Sequence, residues 1–320
     1  MKAFWLGLTA KTNTPNNITV KPKITFPSTL DEFVAQENVV DGIKVSIDAA
    51  VIQGCVLKHI LLYGPAGTGK STLARLIAHE TGANITTLSA ASIANVKEIE
   101  DYLFALNKGD ILFIDEIHAL KKRVADLLLP AIEDFVVNGQ QIEEFTFIGG
   151  TTDPGAIIKP LMTRFTYLYE LTTYTAQQLL EILVSVANEK DVTLEREDAL
   201  YIAHRSFGTP RIAKNILQNV INLSIVKNSP INEQLIDRAL LLIKGGLDSR
   251  GLDRTQRTIM QYLIDNGVTG EKTLCSMFEL SKQNLEIVER PLLQIGFLFR
   301  TPKGRVITKK GIEHLMNSNI

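Results

Sequence analysis

Eight consecutive residues, Gly64-Pro65-Ala66-Gly67-Thr68-Gly69-Lys70-Ser71, have the types and spacing of a phosphate trap, G-x-x-x-x-G-K-[ST]. The glycines let backbone N–H groups turn toward phosphate oxygens, where a side chain would block the approach. Lys70 supplies a mobile positive charge for the outer phosphates, and the Ser71 hydroxyl is a magnesium ligand. Gly64, Pro65, Gly67, Thr68, Gly69 and Thr72 are the remaining nucleotide contacts expected of this loop. The apolar run Ile60-Leu61-Leu62-Tyr63 predicts a strand leading into it. A helix over about 70–81 follows and points the positive end of its dipole at the same anion. Leu73, Leu76 and Ile77 form the buried stripe of that helix, and Gly82 is its expected terminator.

A second set of residues has the chemistry to hydrolyse what the loop binds. The apolar run 111–114 ends in Asp115-Glu116. A buried strand rarely ends in adjacent carboxylates unless they face a cation or a reacting water. Asp115 can complete a magnesium shell with Ser71, and Glu116 can polarise the water that attacks a γ-phosphate. A further run, 145–148, leads into Gly149-Gly150-Thr151-Thr152. There a hydroxyl, with Thr152 as the candidate, either orients that water and senses the γ-phosphate or caps the strand end. Arg164 lies beyond this strand in Pro160-Leu161-Met162-Thr163-Arg164-Phe165. Arg211 falls in the first turn of a helix whose start is written as Thr209 at the N-cap and Pro210 at the first position. The dipole favours anions at that end, so an anionic ligand or a surface salt bridge must account for the arginine.

These groups need a scaffold, and 320 residues suggest two or three domains. Apolar residues make up 45% of the chain and charged ones 22%, which reads as a soluble globular protein, and no apolar run approaches the length of a bilayer span. Candidate strands at 60–63, 85–88, 111–114 and 145–148 alternate with amphipathic segments, the rhythm of an α/β unit with a mostly parallel sheet. From about 175 to 244 the pattern is helical only. After Gly245-Gly246 comes a third unit that closes in a small hairpin around Pro302-Lys303-Gly304. The expected division is an N-terminal arm at 1–28, a large domain at 29–170, a helical lid at 171–246 and a final domain at 247–320. The arm holds the apolar patch Ala3-Phe4-Trp5-Leu6-Gly7-Leu8 and then a flexible stretch. Cys55 and Cys275 are the only cysteines; two buried thiols in a reducing cytoplasm fit that usage.

Formal net charge is −1, so any contact with nucleic acid must come from a local patch. One stands at the C-terminus. Residues 251–320 hold ten Lys+Arg against seven Asp+Glu, and five of the ten lie within 300–310 with no acid among them. Arg300, Lys303 and Arg305 on a hairpin, with Lys309 and Lys310 behind, would face phosphates.

In order along the chain, Lys70-Ser71, Asp115-Glu116, Thr152, Arg164 and Arg211 resemble the Walker A, Walker B, sensor 1, arginine finger and sensor 2 elements of AAA+ ATPases. The likeness is closer to the RuvB family of Holliday-junction branch-migration motors. It is carried by Thr29-Leu30-Asp31-Glu32-Phe33-Val34 with Gln36, Asp115-Glu116-Ile117-His118, and Pro130-Ala131-Ile132-Glu133-Asp134-Phe135. Gly208-Thr209-Pro210-Arg211-Ile212-Ala213 and Arg300-Thr301-Pro302-Lys303-Gly304-Arg305 extend it, so that it runs from about Thr29 to the C-terminus. The resemblance implies a parallel-sheet AAA+ large domain, an all-α lid and a C-terminal winged helix. It further implies an ATPase using Mg2+, coupled to movement on double-stranded or junction DNA, in a cytoplasmic homo-oligomer with a hexameric ring. By the same likeness Arg164 reaches a neighbour's nucleotide and Arg211 contacts the γ-phosphate. Tyr174 matches a nucleotide-contacting tyrosine, and Phe33-Val34 lie where adenine packs.

Three departures from the family stand out. Phe26 and Asp153 occupy positions where arginine is usual. The segment 135–144 is short, with a plain hairpin turn at Asn138-Gly139, whereas the family carries a longer apolar hairpin that docks on the partner RuvA. Whether a RuvA-like adaptor, another adaptor or none serves this chain is left open by that shortening. Two other readings share the motifs: a clamp-loader or helicase-loader switch, and a DNA-binding regulator with a structural nucleotide site. The winged-helix ending argues against the first, and Glu116 with Arg164 against the second.

Overall fold

The computed structural model describes residues 27–243 and 246–317. The apolar patch of the arm, its linker and Phe26 lie outside these residues. Helix α1 (Glu37–Gln53) precedes strand β1 (Ile60–Tyr63), helix α2 (Lys70–Thr81), strand β2 (Ile85–Ser89), helix α3 (Val96–Phe104) and strand β3 (Ile111–Asp115). Helix α4 (Lys122–Glu133), the hairpin β4 (Val136–Val137) and β5 (Gln140–Gln141), strand β6 (Thr146–Thr151), the short helix α5 (Lys159–Met162) and strand β7 (Tyr167–Glu170) complete the first unit. Five strands form one parallel sheet in the order β2-β3-β6-β1-β7.

Side-chain alternation along these strands covers both faces of the sheet. Leu61, Leu112, Ile114 and Phe147 pack with Ile99, Leu128 and Ile132 on one face. On the other, Ile60, Leu62, Ile111, Phe113 and Ile148 pack with Ile43, Leu73 and Ile77. Helix α2 has the predicted bounds and ends at Gly82, whose φ of +64° closes it in the left-handed region. Strand β7 is absent from the predicted set. Its side chains alternate between half-buried and exposed, so an edge strand of this kind shows no continuous apolar run.

Helices α6 (Ala176–Glu189), α7 (Arg196–Ala203), α8 (Pro210–Lys227) and α9 (Glu233–Leu241) make the lid. Leu179, Leu183, Ile202, Ile216, Leu217, Val220 and Ile236 are buried in its core. The start of α8 lies where expected, but the Thr209 side chain does not cap it. Its hydroxyl donates instead to the Phe207 carbonyl at 3.3 Å. Gln36 fastens the segment before α1 to the lid connection, its side chain exchanging two bonds with the Thr172 backbone at 2.8 and 3.1 Å.

The last unit contains α10 (Arg254–Asn266), α11 (Glu271–Met277), α12 (Lys282–Gln294), the hairpin β8 (Leu298–Thr301) and β9 (Gly304–Ile307), and α13 (Lys309–Asn317). Its core is Leu252, Ile259, Leu263, Leu274, Leu285, Leu292 and Phe297. Three helices followed by a two-stranded wing, with α13 closing the unit, make this a winged helix. The thiols are not as expected: Cys55 is exposed and Cys275 half-buried.

His59 ties β1, β6 and α4 together. Its Nδ1 accepts the Phe147 amide at 3.0 Å, so the ring proton sits on Nε2, which is bonded to the Ile132 carbonyl at 3.0 Å. Burial holds this imidazole below its ordinary pKa, outweighing the bond to Ile132. The folded state therefore favours the neutral ring. Its contribution is complete above about pH 6.5 and declines as pH falls toward the folded pKa. Between pH 6.5 and 5.5 wild type should lose at most about 1.4 kcal/mol by this route. Urea titrations at the two pH values check it: His59→Gln should lack this increment of acid sensitivity, and an equal slope in both proteins would contradict the assignment.

Candidate nucleotide and nucleic-acid sites

Parallel register delivers the chemistry to one edge of the sheet. Tyr63 of β1 pairs with Thr151 of β6, and the next residue, Gly64, turns into the phosphate loop at φ +138°. A Cβ there would lie 2.1 Å from the Leu171 carbonyl oxygen, so only glycine fits between the loop and the strand that leads to the lid. Inside the loop, the Lys70 ammonium donates to the Gly64 and Pro65 carbonyls at 2.9 and 3.0 Å. Burial pushes Lys70 below the usual lysine pKa, while Glu116 and Asp115 act in the opposite direction. The Thr68 hydroxyl donates to Pro65 O at 2.8 Å, and the Tyr174 hydroxyl donates to Thr68 O at 3.0 Å. Burial holds the Tyr174 phenol well above its ordinary range. Tyr174 therefore braces the loop from the lid side.

The carboxylates stand where β3 ends. Ser71 Oγ lies 3.3 Å from Asp115 Oδ2, and Asp115 Oδ1 accepts the Glu116 amide at 3.1 Å. Glu116 itself adopts φ +53° and ψ +47°, a left-handed conformation that costs a residue with a Cβ about 1–3 kcal/mol. That turn aims its side chain across to β6. Glu116 Oε2 accepts the Thr152 amide at 3.1 Å and the Thr152 hydroxyl at 2.9 Å. Thr152, the residue after the strand, thus meets the candidate base directly. His118 completes the cluster, with Nδ1 at 3.3 Å from Glu116 Oε2 and 2.8 Å from Thr151 Oγ1. A ring nitrogen this close to a carboxylate is best satisfied as Nδ1–H. The sequence carries His118 only as part of a family motif, with no role attached; its signal is a histidine two positions after Glu116.

Two depressions flank the loop. One, of about 630 Å3, is lined by Pro27, Ser28, Phe33, Val34, Tyr174 and Ile182 among others. Its apolar walls suit a base, and Phe33 packs against Gly69, where an added Cβ would come within 2.8 Å of the ring. Pro27 and Ser28, expected in the arm, belong to this wall. The second, of about 550 Å3, is lined by Gly67, Lys70, Ser71, Asp115, Glu116 and Arg211 among others, the setting for a triphosphate. Lid and loop touch here: a Cβ on Gly67 would meet Thr209 and Arg211 at 2.8 and 3.0 Å. Arg164 lies elsewhere, paired through Nη2 with Glu133. Its Nε is buried and has no acceptor among the described residues.

The wing differs from the expectation of three free cations. Glu289 of α12 is fully buried, and both arginines converge on it. Arg300 donates to Oε2 through Nε and Nη2 at 3.2 and 3.1 Å. Arg305 donates to Oε1 at 2.8 Å and to Glu271 at 2.8 Å. Burial opposes the Arg305 charge, but the two carboxylates outweigh it and hold its pKa above the ordinary value. Arg305 is therefore an internal strut, 11% exposed, while Arg300 is 44% exposed. Lys303 is exposed at the turn. The hairpin β4–β5 is anchored by its first strand and exposed at its tip and second strand. Asn138 and Gly139 make its turn at φ +51° and +79°, Asn138 Nδ2 donates to Glu100 at 2.9 Å, and Val137 is buried.

Family models cover nearly the whole chain. The Holliday junction DNA helicase RuvB P-loop domain matches residues 25–171, the RuvB AAA lid domain 174–244, and the RuvB C-terminal winged helix domain 249–316. The Holliday junction branch migration complex subunit RuvB of Thermotoga maritima is 39% identical over 306 residues, 90% of this chain and 91% of that protein. Its counterpart in Kosmotoga olearia is 38% identical over 306 residues, with 90% and 89% covered. The solved structure of the T. maritima RuvB Holliday junction branch migration motor superposes with a TM-score of 0.83 at 40% identity, covering 91% of this chain and 97% of that one. The Aeropyrum pernix ORC2 protein, at 15% identity and a TM-score of 0.59, shares the fold alone.

Glu289→Ala would leave Arg305 buried with half of its counter-charge. The expected cost is about 3 kcal/mol or more, the scale of breaking a buried ion pair from one side. Urea unfolding followed by circular dichroism measures it, and a loss under 1 kcal/mol would contradict the strut role.

Proposed function

The chain belongs to the RuvB family of AAA+ ATPases, and on that premise we propose that it is an ATP-driven motor promoting branch migration of Holliday junctions. One observation carries the reading: the phosphate loop, the two acids and Thr152 meet at one sheet edge beneath lid residue Arg211, in a chain that ends in a winged helix. ATP is the nucleotide, with its base against Phe33 and Val34 and its ribose beside Tyr174 and Pro210. Its phosphates lie along Gly64 to Thr72.

Ser71 Oγ and Asp115 Oδ2, 3.3 Å apart, are close enough to share one cation, and hard oxygen donors of this kind suit Mg2+, which takes few protein ligands. Bound with ATP, Mg2+ would neutralise charge on the β- and γ-phosphates. Lys70 leaves the Gly64 and Pro65 carbonyls for phosphate oxygens, a stronger charge-assisted partner. Glu116 acts as the base that polarises the attacking water. Thr152 saturates one oxygen of that carboxylate, which leaves Oε1 to receive the proton. Arg211 holds the γ-phosphate from the lid. Arg164 serves the site of a neighbouring subunit in a hexameric ring, a role supported by the match of its segment to the RuvB P-loop domain, and one that requires its guanidinium to leave Glu133.

Double-stranded or junction DNA meets the winged helix through its phosphates, so contact is independent of sequence. Lys303 and the exposed edge of Arg300 make that contact, and Arg305 holds the wing in shape behind them. The adaptor is a separate matter. The hairpin β4–β5 presents Asn138, Gly139, Gln140 and Gln141, which supports a partner that does not bury an apolar hairpin. ATP and chromosomal DNA put this work in the cytoplasm. Among the described residues no helix is long and apolar enough to cross a membrane.

Branch migration of a synthetic four-way junction with ATP tests the motor. Lys70→Ala and Glu116→Gln should each abolish migration and lower ATP turnover by at least about 100-fold; activity equal to wild type would overturn the mechanism. Arg164→Ala should lower turnover by about 10³-fold or more, with partial rescue when it is mixed with a Glu116→Gln protein that supplies intact arginines. Two phosphate contacts per wing predict that log affinity for duplex DNA falls against log salt with a slope of about −1.8 per wing. A salt-independent affinity would exclude the wing as the contact.

A further inference from the structure

Two cavities meet at a neck, and among the described residues Gly69, Thr72, Pro210 and Lys214 line both. With a base on one side and a triphosphate on the other, the ribose and α-phosphate must occupy this neck. Lys214 is the charged member of the four. It lies on α8 one helical turn beyond Pro210 and Arg211, so all three side chains face the phosphate loop from one stripe of the helix. Arg211 and Asn215 line the triphosphate cavity alone, whereas Lys214 lines both. Burial pushes the Lys214 ammonium below its ordinary pKa, and Glu189 on α6, which lines the base cavity, favours its charged form. A lysine placed in this way is held between two helices of the lid and directed at the site rather than spread over the surface.

We propose that Lys214 is a second lid cation on the nucleotide, bonding the α-phosphate while Arg211 serves the γ-phosphate. The proposal rests on the assignment of the two cavities to ATP. It separates two tasks within one helix. Lys214 senses that a nucleotide is present, because ADP and ATP both carry an α-phosphate. Arg211 senses which nucleotide it is, because the γ-phosphate distinguishes ATP. The lid would then stay on its helix α8 contact after hydrolysis, released from one cation and held by the other.

Calorimetric titration of the full chain with ADP and with the slowly hydrolysed analogue ATPγS, each with magnesium, tests this. Lys214→Met should weaken both ligands by a similar factor, about tenfold, the scale of a single charge-assisted hydrogen bond. Lys214→Arg should recover most of the loss. Arg211→Ala should weaken ATPγS by at least several times more than ADP. Thermal midpoints without nucleotide confirm that the variants fold, and Lys214→Gln serves as a second neutral variant. Binding of both ligands within twofold of wild type for the two neutral variants would overturn the proposal. A loss confined to ATPγS would also overturn it, since that would move Lys214 to the γ-phosphate. If wild type binds neither ligand, the assignment of the cavities falls and takes the proposal with it.

Discussion

The register of three parallel strands is the constraint on which the rest of the molecule depends. Ile60 to Tyr63 run beside Ile148 to Thr151, and Ile111 to Ile114 run beside Thr146 to Gly149. This brings the phosphate loop, the two acids and the threonine pair to the same edge. Because side chains alternate with a period of two, a slip of one residue would turn Asp115 from the site toward a helix-covered face. The apolar residues prevent the slip. Leu112 and Ile114 are buried on one face, Ile111 and Phe113 on the other, and a shifted pairing would exchange the two sets and put side chains of the wrong shape into each close-packed face. Hydrophobic burial thus sets the position of the carboxylates to within a hydrogen bond of Ser71 and Thr152.

Where the chain itself marks a feature chemically, that feature is legible in the sequence. The loop, helix α2 to its terminal Gly82, strand β1, the wing hairpin and the Asn138-Gly139 turn all rest on local rules of spacing and backbone freedom. Strand β7 was not legible, because an edge strand with exposed Leu168 and half-buried tyrosines shows no unbroken apolar run. Tertiary partners were not legible either. Arg305 resembles a surface cation in a basic stretch, and only folding brings Glu289 and Glu271, 16 and 34 residues away, onto its guanidinium. His118 and Lys214 share that character. Their meaning comes from what they face, Glu116 in one case and the neck between two cavities in the other.

Charge is used in three distinct ways across the chain. At the phosphate loop, Lys70 is held on carbonyl oxygens, weak partners that a phosphate can displace. In the wing, Arg305 is locked on a fully buried carboxylate and gives shape rather than affinity. Arg164 is intermediate, with one edge bonded to Glu133 and a buried nitrogen without an acceptor among the described residues. The net charge of −1 conceals this division.

The winged helix is joined to the lid at the root of helix α8. Gln294 of α12 donates to the Phe207 carbonyl at 3.0 Å, and the same carbonyl accepts the Thr209 hydroxyl just before Pro210 and Arg211. Nearby, Asp248 accepts the Arg250 and Leu252 amides and pairs with His314 of α13 at 2.9 Å, and Gly251 fits tightly against the Arg205 carbonyl. A joint with so many short bonds has little slack. The lid residues that touch the phosphate loop and the winged helix are then fastened to one hub at the start of α8. A tilt of α8 too small to break these hydrogen bonds would be passed on to the winged helix rather than absorbed between the two units.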